Sequence, residues 1–156
     1  MPEHLYQTSL KWTGNKGDGT KSYRAYDRAY EIEVARKPTI SGSSDSAFHG
    51  DRTKYNPEEL LVASLSSCHM LWYLHLCSEA KVIVVSYKDK AIGKMNETKD
   101  GSGKFVEVIL QPEVIVTADS NMEKAEQLHH KAHQFCFIAN SVNFPVLCQP
   151  SISMNT

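Results

Sequence analysis

Cysteine is scarce in this 156-residue sequence: Cys68, Cys77, Cys136 and Cys148 are the full set, and no two form a CxxC pair. Four thiols so spaced do not make a secreted disulfide scaffold. The expected compartment is the reducing cytoplasm, where paired cysteines serve catalysis or metal binding. Excess charge is also missing. A net charge of −1, with no basic stripe interleaved with aromatics, leaves no electrostatic case for nucleic acid. The opening residues MPEHLYQTSLKW alternate and are polar, so no signal peptide is expected. No apolar run reads as a membrane span, and there is no internal repeat or low-complexity tract. What remains has the length of one domain that can bury a sizeable core without staples.

The most informative stretch is Asn56 to Cys77, NPEELLVASLSSCHMLWYLHLC. Asn56 suits an N-cap and Pro57 the first helical position. Glu58 and Glu59 place negative charge in the first turn, and Glu59 can close a capping box on Asn56. Beyond them the segment is apolar nearly all round, which predicts a helix buried in a protein or an interface. Ser64, Ser66, Ser67, His69 and His75 interrupt it too often for a membrane span. Cys68 sits at its middle. A cysteine in such a helix is by default a small core residue.

Alternation predicts strands over residues 5–12, 22–26 and 30–35, then a long polar loop over 36–55. After the helix, KVIVVSY (81–87) is a β-branched strand that 91–95 extends. Residues 96–103 read as a hairpin connection, 105–110 and 113–117 as strands. Asp119 or Ser120 caps a second helix over about 121–136. Residues 137–143 are irregular or a short helix, and 145–152 a last short strand. This order is an α+β layout.

The second helix ends QLHHKAHQFC, with Cys136 at its C-terminal end. Two cysteines, each in or beside a helix and distant in sequence, fit a peroxidatic and a resolving thiol; they equally fit two core residues. Cys77 and Cys148 read as core or edge fillers, and Met70, Trp72, Tyr73, Phe135, Phe137 and Phe144 as core or as walls of an apolar pocket over Cys68.

The run Asn56-Pro57-Glu58-Glu59-Leu60-Leu61-x-Ala63-x-x-x-x-Cys68 resembles the signature of the OsmC/Ohr family of hydroperoxide reductases. The second helix with Cys136, then a short irregular segment and a strand, resembles that family's second cysteine region, with Phe137 where the family often has proline. The spacing of the two cysteines and the order of elements also agree, so the resemblance covers nearly the whole chain. It implies an OsmC-like fold of antiparallel sheets packed with two central helices, in an intertwined homodimer. It implies one domain over 1–156: strands in 1–55, the central helix at 56–78, and the remaining strands and second helix in 79–156. It further implies that Cys68 reduces organic hydroperoxides to alcohols through a sulfenic acid, and that Cys136 resolves this as an intramolecular disulfide. A thiol reductant of dihydrolipoamide type then regenerates the enzyme. No cofactor or metal is expected.

In the family a glutamate and an arginine tune the first cysteine. The glutamate carries over to Glu58. Where OsmC-type members carry the arginine, this chain has Ala47. The position used by Ohr-type members leaves Arg24 and Arg28, and Arg52 is a third choice; Arg28 is preferred. Some cation has a physical task. Cys68 lies roughly 16 Å past Pro57 at about 1.5 Å per residue, beyond the reach of the helix dipole. A thiol in apolar surroundings needs a nearby positive charge to react as thiolate and to stabilise a leaving alkoxide. His69 points away, and His75 is about two turns further on. Ten residues also separate Glu58 from Cys68, about 15 Å of helix. Glu58 therefore acts across a two-fold axis or through a bridging arginine.

Two rivals stay open. His129, His130, His133 and Cys136 lie at helical spacings and, with Cys68 and His69, could form a zinc site. His129 and His130 read otherwise as solvated or core-edge residues. A non-catalytic dimeric module binding small apolar ligands would need neither cysteine.

Overall fold

The computed structural model describes residues 1–155. They fall into two compact units, Met1–Leu60 and a second beginning at Leu61.

The first unit holds an antiparallel sheet in the order β1 (Ser9–Trp12), β2 (Tyr30–Glu33), β3 (Ile40–Gly42). Residues 22–26, expected as a strand, are instead bends with one isolated bridge between Asn15 and Tyr26. The guanidinium of Arg28 holds them: it donates to the carbonyls of Tyr26 (2.7 Å) and Tyr23 (2.6 Å) and lies over both rings. The polar loop over 36–55 is structured. It contains β3 and a 3-10 turn at Ser46–Phe48, capped by Asp45, which accepts from the Ala47 N–H. Short Asp, Ser and Thr side chains bond their own backbone here and replace strand pairing.

Helix α1 (Pro57–Glu79) starts as expected. The Glu59 N–H donates to Asn56 Oδ1 at 2.8 Å and the Asn56 N–H to Glu59 Oε1 at 3.1 Å, a reciprocal capping box. Two of its serines are satisfied without leaving the helix: Ser64 donates to the Leu61 carbonyl and Ser67 to that of Ala63. By length and composition α1 does qualify for a membrane span, contrary to the reading from its interruptions. Within the protein, its residues Leu65, His69, Tyr73, Leu76 and Cys77 form one buried stripe. The opposite face is open, with Leu71 62% exposed.

In the second unit two sheets flank the helices. One has the order β4 (Val84–Asp89), β7 (Pro112–Val116), β9 (Ser151–Met154). The other runs β5 (Ile92–Glu97), β6 (Gly103–Leu110), β8 (Val146–Cys148). The pairs β4–β7 and β5–β6 are antiparallel. The pairs β6–β8 and β7–β9 are parallel, so both sheets are mixed rather than wholly antiparallel. Parallel pairing follows from the crossover through helix α2 (Met122–Phe135), which returns the chain in its original direction. The single strand expected over 145–152 is two strands, one in each sheet. Gln149 and Pro150 make the change of sheet, the Gln149 N–H still bonding the Leu110 carbonyl.

Helix α1 serves both sheets. Leu65 packs with Val108 and Leu110 in one core, while Tyr73, Leu76 and Cys77 pack with Val114, Val116, Ala125, Leu128 and Ala132 in another. Gly93 on β5 permits close approach, since a Cβ there would meet Val62 Cγ2 at 2.5 Å. Helix α2 is capped by Asn121, whose Oδ1 accepts from the Lys124 N–H, rather than by Asp119 or Ser120. Ser120 turns inward and accepts from the Ile83 N–H instead.

Tyr73 ties the two helices, its buried hydroxyl donating to the Ala125 carbonyl at 2.8 Å. Tyr73→Phe keeps the packing and removes only this bond. It is expected to cost about 1 kcal/mol, read as a lower urea midpoint at unchanged m. No change would mean that the bond is fully replaced by water.

Candidate active site

Cys68 and Cys136 meet within the second unit. Cys68 is half-buried on α1. Cys136 is the C-cap of α2, 2% exposed, and its thiol is near enough to Cys68 for that thiol to influence its ionisation. Both are free thiols. Burial pushes the Cys136 thiol well up; the Ala139 N–H, which donates to its sulfur at 3.5 Å, opposes this, and the Cys68 thiol adds to it. The two therefore differ in environment: Cys68 is half-buried, while Cys136 is buried and held neutral beside it.

Aromatic side chains wall this place. Trp72, one turn beyond Cys68 on α1, stacks on Phe135 at 5.1 Å and meets Phe137 edge-on at 5.5 Å. These two phenylalanines bracket Cys136. Phe135 and Phe137 stay 44% and 68% exposed, and Leu71, Trp72 and His75 line an adjacent open depression. Exposed apolar groups clustered in this way offer a surface on which an alkyl or aryl group can rest.

Glu58 and Arg28 belong to the first unit. Among the described residues Arg28 forms no ion pair with Glu58; its partners are the carbonyls and tyrosine rings of its own loop. Tyr30 feels Glu58, since its hydroxyl is pushed up first by burial and then by that negative charge. Arg24 and Arg52 lie in the same unit, and Ala47 sits in the 3-10 turn.

The zinc set expected from spacing does not form as drawn. Helix α2 buries His129, expected at the surface or core edge, while His130 is exposed. His129 meets His69 of α1: His69 Nε2 and His129 Nδ1 are 3.0 Å apart. The sulfur beside them belongs to Cys148, at 3.7 Å from His69 Nε2 and 3.8 Å from His129 Nδ1, and not to Cys136. Cys148, expected only to fill space, ends β8. Burial holds His69 down to about 4, helped by His133 and opposed by Asp89; burial and then His69 hold His129 down to about 3. Burial, then Asp89, pushes Cys148 up to about 12. Asp89 is fixed by the Ser66 hydroxyl (2.5 Å) and the Gln111 N–H (2.7 Å). No local spacing could have shown this trio, because its members come from α1, α2 and β8.

Residues 49–150 match the family model described as OsmC-like protein. The organic hydroperoxide resistance protein OhrB of Bacillus subtilis is 32% identical over 85 residues, which cover 54% of this chain and 60% of that protein. The chain thus spans under two thirds of that relative's length. An OsmC-like protein of unknown function from Vibrio cholerae superposes with a TM-score of 0.84 at 31% identity, over 96% of this chain and 99% of that one. An organic hydroperoxide resistance protein from Legionella pneumophila shares the fold at a TM-score of 0.67 and 21% identity, over 97% and 99% of the two chains. Helix α1 with its capping box and central thiol, α2 with the second thiol at its end, and the match over 49–150 lead to one conclusion: the chain belongs to the family of OsmC-like proteins.

Proposed function

We propose that this protein is a thiol-dependent peroxidase that reduces organic hydroperoxides to alcohols. The pairing of a reachable Cys68 with a buried Cys136 carries the reading. The Cys68 thiolate attacks the outer peroxide oxygen and the O–O bond breaks. The alkoxide leaves and takes a proton, and Cys68 becomes a sulfenic acid. The Cys136 thiol then displaces that hydroxyl as water, forming the Cys68–Cys136 disulfide. A small dithiol reductant, of dihydrolipoamide type, returns both thiols by exchange. Glu58 and Arg28 are proposed to tune Cys68, in keeping with the family resemblance. A homodimer is part of this reading, in keeping with the family resemblance. So is a cytoplasmic setting, supported by a cysteine content too low for a secreted disulfide scaffold.

The direct test is intact and peptide mass spectrometry after one equivalent of cumene hydroperoxide. A loss of two hydrogens, mapped to a Cys68–Cys136 cross-link, is expected. Unchanged thiols would sink the reading.

Substrate choice follows from the aromatic wall. Burying roughly 80 Å² of an aryl group at about 25 cal/mol per Å² contributes about 2 kcal/mol. That is roughly a 30-fold advantage in kcat/KM for cumene hydroperoxide over hydrogen peroxide. Trp72→Ala should erase most of it. Equal efficiency on both peroxides would remove the apolar wall from the mechanism.

A further inference from the structure

The trio of His69, His129 and Cys148 takes no part in the peroxidase chemistry, yet three of the commonest metal-binding atoms converge there from three separate elements. We propose that these side chains form a zinc site, with a fourth position facing the pocket between α2 and β8. Tetrahedral zinc, with bonds of about 2.0–2.1 Å to nitrogen and about 2.3 Å to sulfur, places its ligands roughly 3.3 Å apart for N···N and roughly 3.6 Å for N···S. The observed separations are 3.0 Å between the nitrogens and 3.7 and 3.8 Å from the sulfur to each. The sulfur is nearly equidistant from both nitrogens, as ligands around one centre are.

A plain histidine pair would need only one proton shared between the rings and would leave Cys148 without a role. Nothing fixes the tautomer of His129, because its Nε2 is buried and has no partner. With the proton on Nε2, the Nδ1 lone pair points at the cluster. His69 is held rigidly within the core, and Tyr73 stacks on His129 at 3.8 Å, so the two rings are already oriented. Preorganised ligands lose little freedom on binding. There is also a way in. A pocket of about 410 Å³ is lined by Glu126, His129, His133 and Cys148 among others. His133, one helical turn beyond His129 and half-buried, borders it and can supply the fourth ligand in place of water. On binding, the Cys148 thiol gives its proton to solvent and the thiolate bonds the ion; the metal undergoes no redox change.

Cobalt(II) tests this, since its visible spectrum reports tetrahedral geometry and thiolate ligation. The full-length protein is reduced, stripped with chelator and titrated with cobalt, then with zinc. One equivalent of tetrahedral cobalt with a thiolate charge-transfer band, displaced by zinc, is the expected result. Cys148→Ser should lose that band and weaken binding beyond the roughly 10–100-fold that outer-shell partners carry. The double variant Cys68→Ser/Cys136→Ser should keep the band, and exposed His130→Ala should leave it unchanged. A band that survives in Cys148→Ser, or vanishes in the Cys68/Cys136 double variant, overturns the assignment, as does the absence of stoichiometric binding. No peroxide enters this measurement, so its failure is separate from any failure of the peroxidase reading.

Discussion

Cys68→Ser is expected to abolish peroxide consumption, while Cys136→Ser should react once and stop. A serine hydroxyl is not ionised at neutral pH and does not attack a peroxide oxygen, so the first variant loses the reaction and not a fraction of it. In the second, the sulfenic acid forms normally but lacks the thiol placed beside it. Dimedone should then trap one equivalent on Cys68, and excess peroxide should carry it to the sulfinic acid. Cys77→Ser should turn over at nearly the native rate, because Cys77 is 1% exposed within the core of Tyr73, Leu76 and Val82. A single-turnover reaction on the three variants, read by intact mass, separates these outcomes. Native turnover in Cys68→Ser would transfer the chemistry to another residue.

The second large effect concerns acid. His69 and His129 are neutral in the folded, metal-free protein down to about 4 and about 3, whereas in the unfolded chain each protonates near 6.5. Between these limits the unfolded state binds more protons, so stability rises with pH there. It is fully present above about pH 7 and drains away as pH falls through 6 and 5. Each histidine contributes up to about 1.4 kcal/mol per pH unit, and the coupled pair on the order of 5 kcal/mol by pH 4. That approaches the whole stability of an ordinary domain. Urea midpoints of chelator-treated protein at half-unit steps from pH 8 to 4 should be flat at first and then fall steeply. His129→Gln, which cannot protonate, should roughly halve the slope between pH 6.5 and 4.5. An unchanged slope would place the acid sensitivity in other groups.

The local signals that the sequence carries are those that pair near neighbours. The Asn56–Glu59 box, the extent of α1 and the thiol at its centre all follow from spacing within one helix. Helix α2 was legible for the same reason, although its cap shifted to Asn121 because Ser120 is taken by the Ile83 N–H. The 22–26 segment alternates but pairs only at the Asn15–Tyr26 bridge, because Arg28 binds its carbonyls. The strands β8 and β9 are three and four residues long and lie parallel to distant partners, so no turn marks them. Cys148 looked inert for a related reason: its neighbours His69 and His129 stand 79 and 19 residues away.

The division of β8 from β9 at Gln149 and Pro150 bears on how the chain is made. Until residues 146–154 emerge, β6 and β7 each carry one bare edge, and both lie in sheets whose other strands are already available to pair. One nine-residue segment closes both edges at once. During synthesis the nascent second unit thus exposes two ready templates for strand addition by other chains, and both disappear together. A chain lacking 146–154 keeps both signature cysteines but leaves the edges of β6 and β7 bare, and light scattering is expected to show it aggregating where the full chain does not.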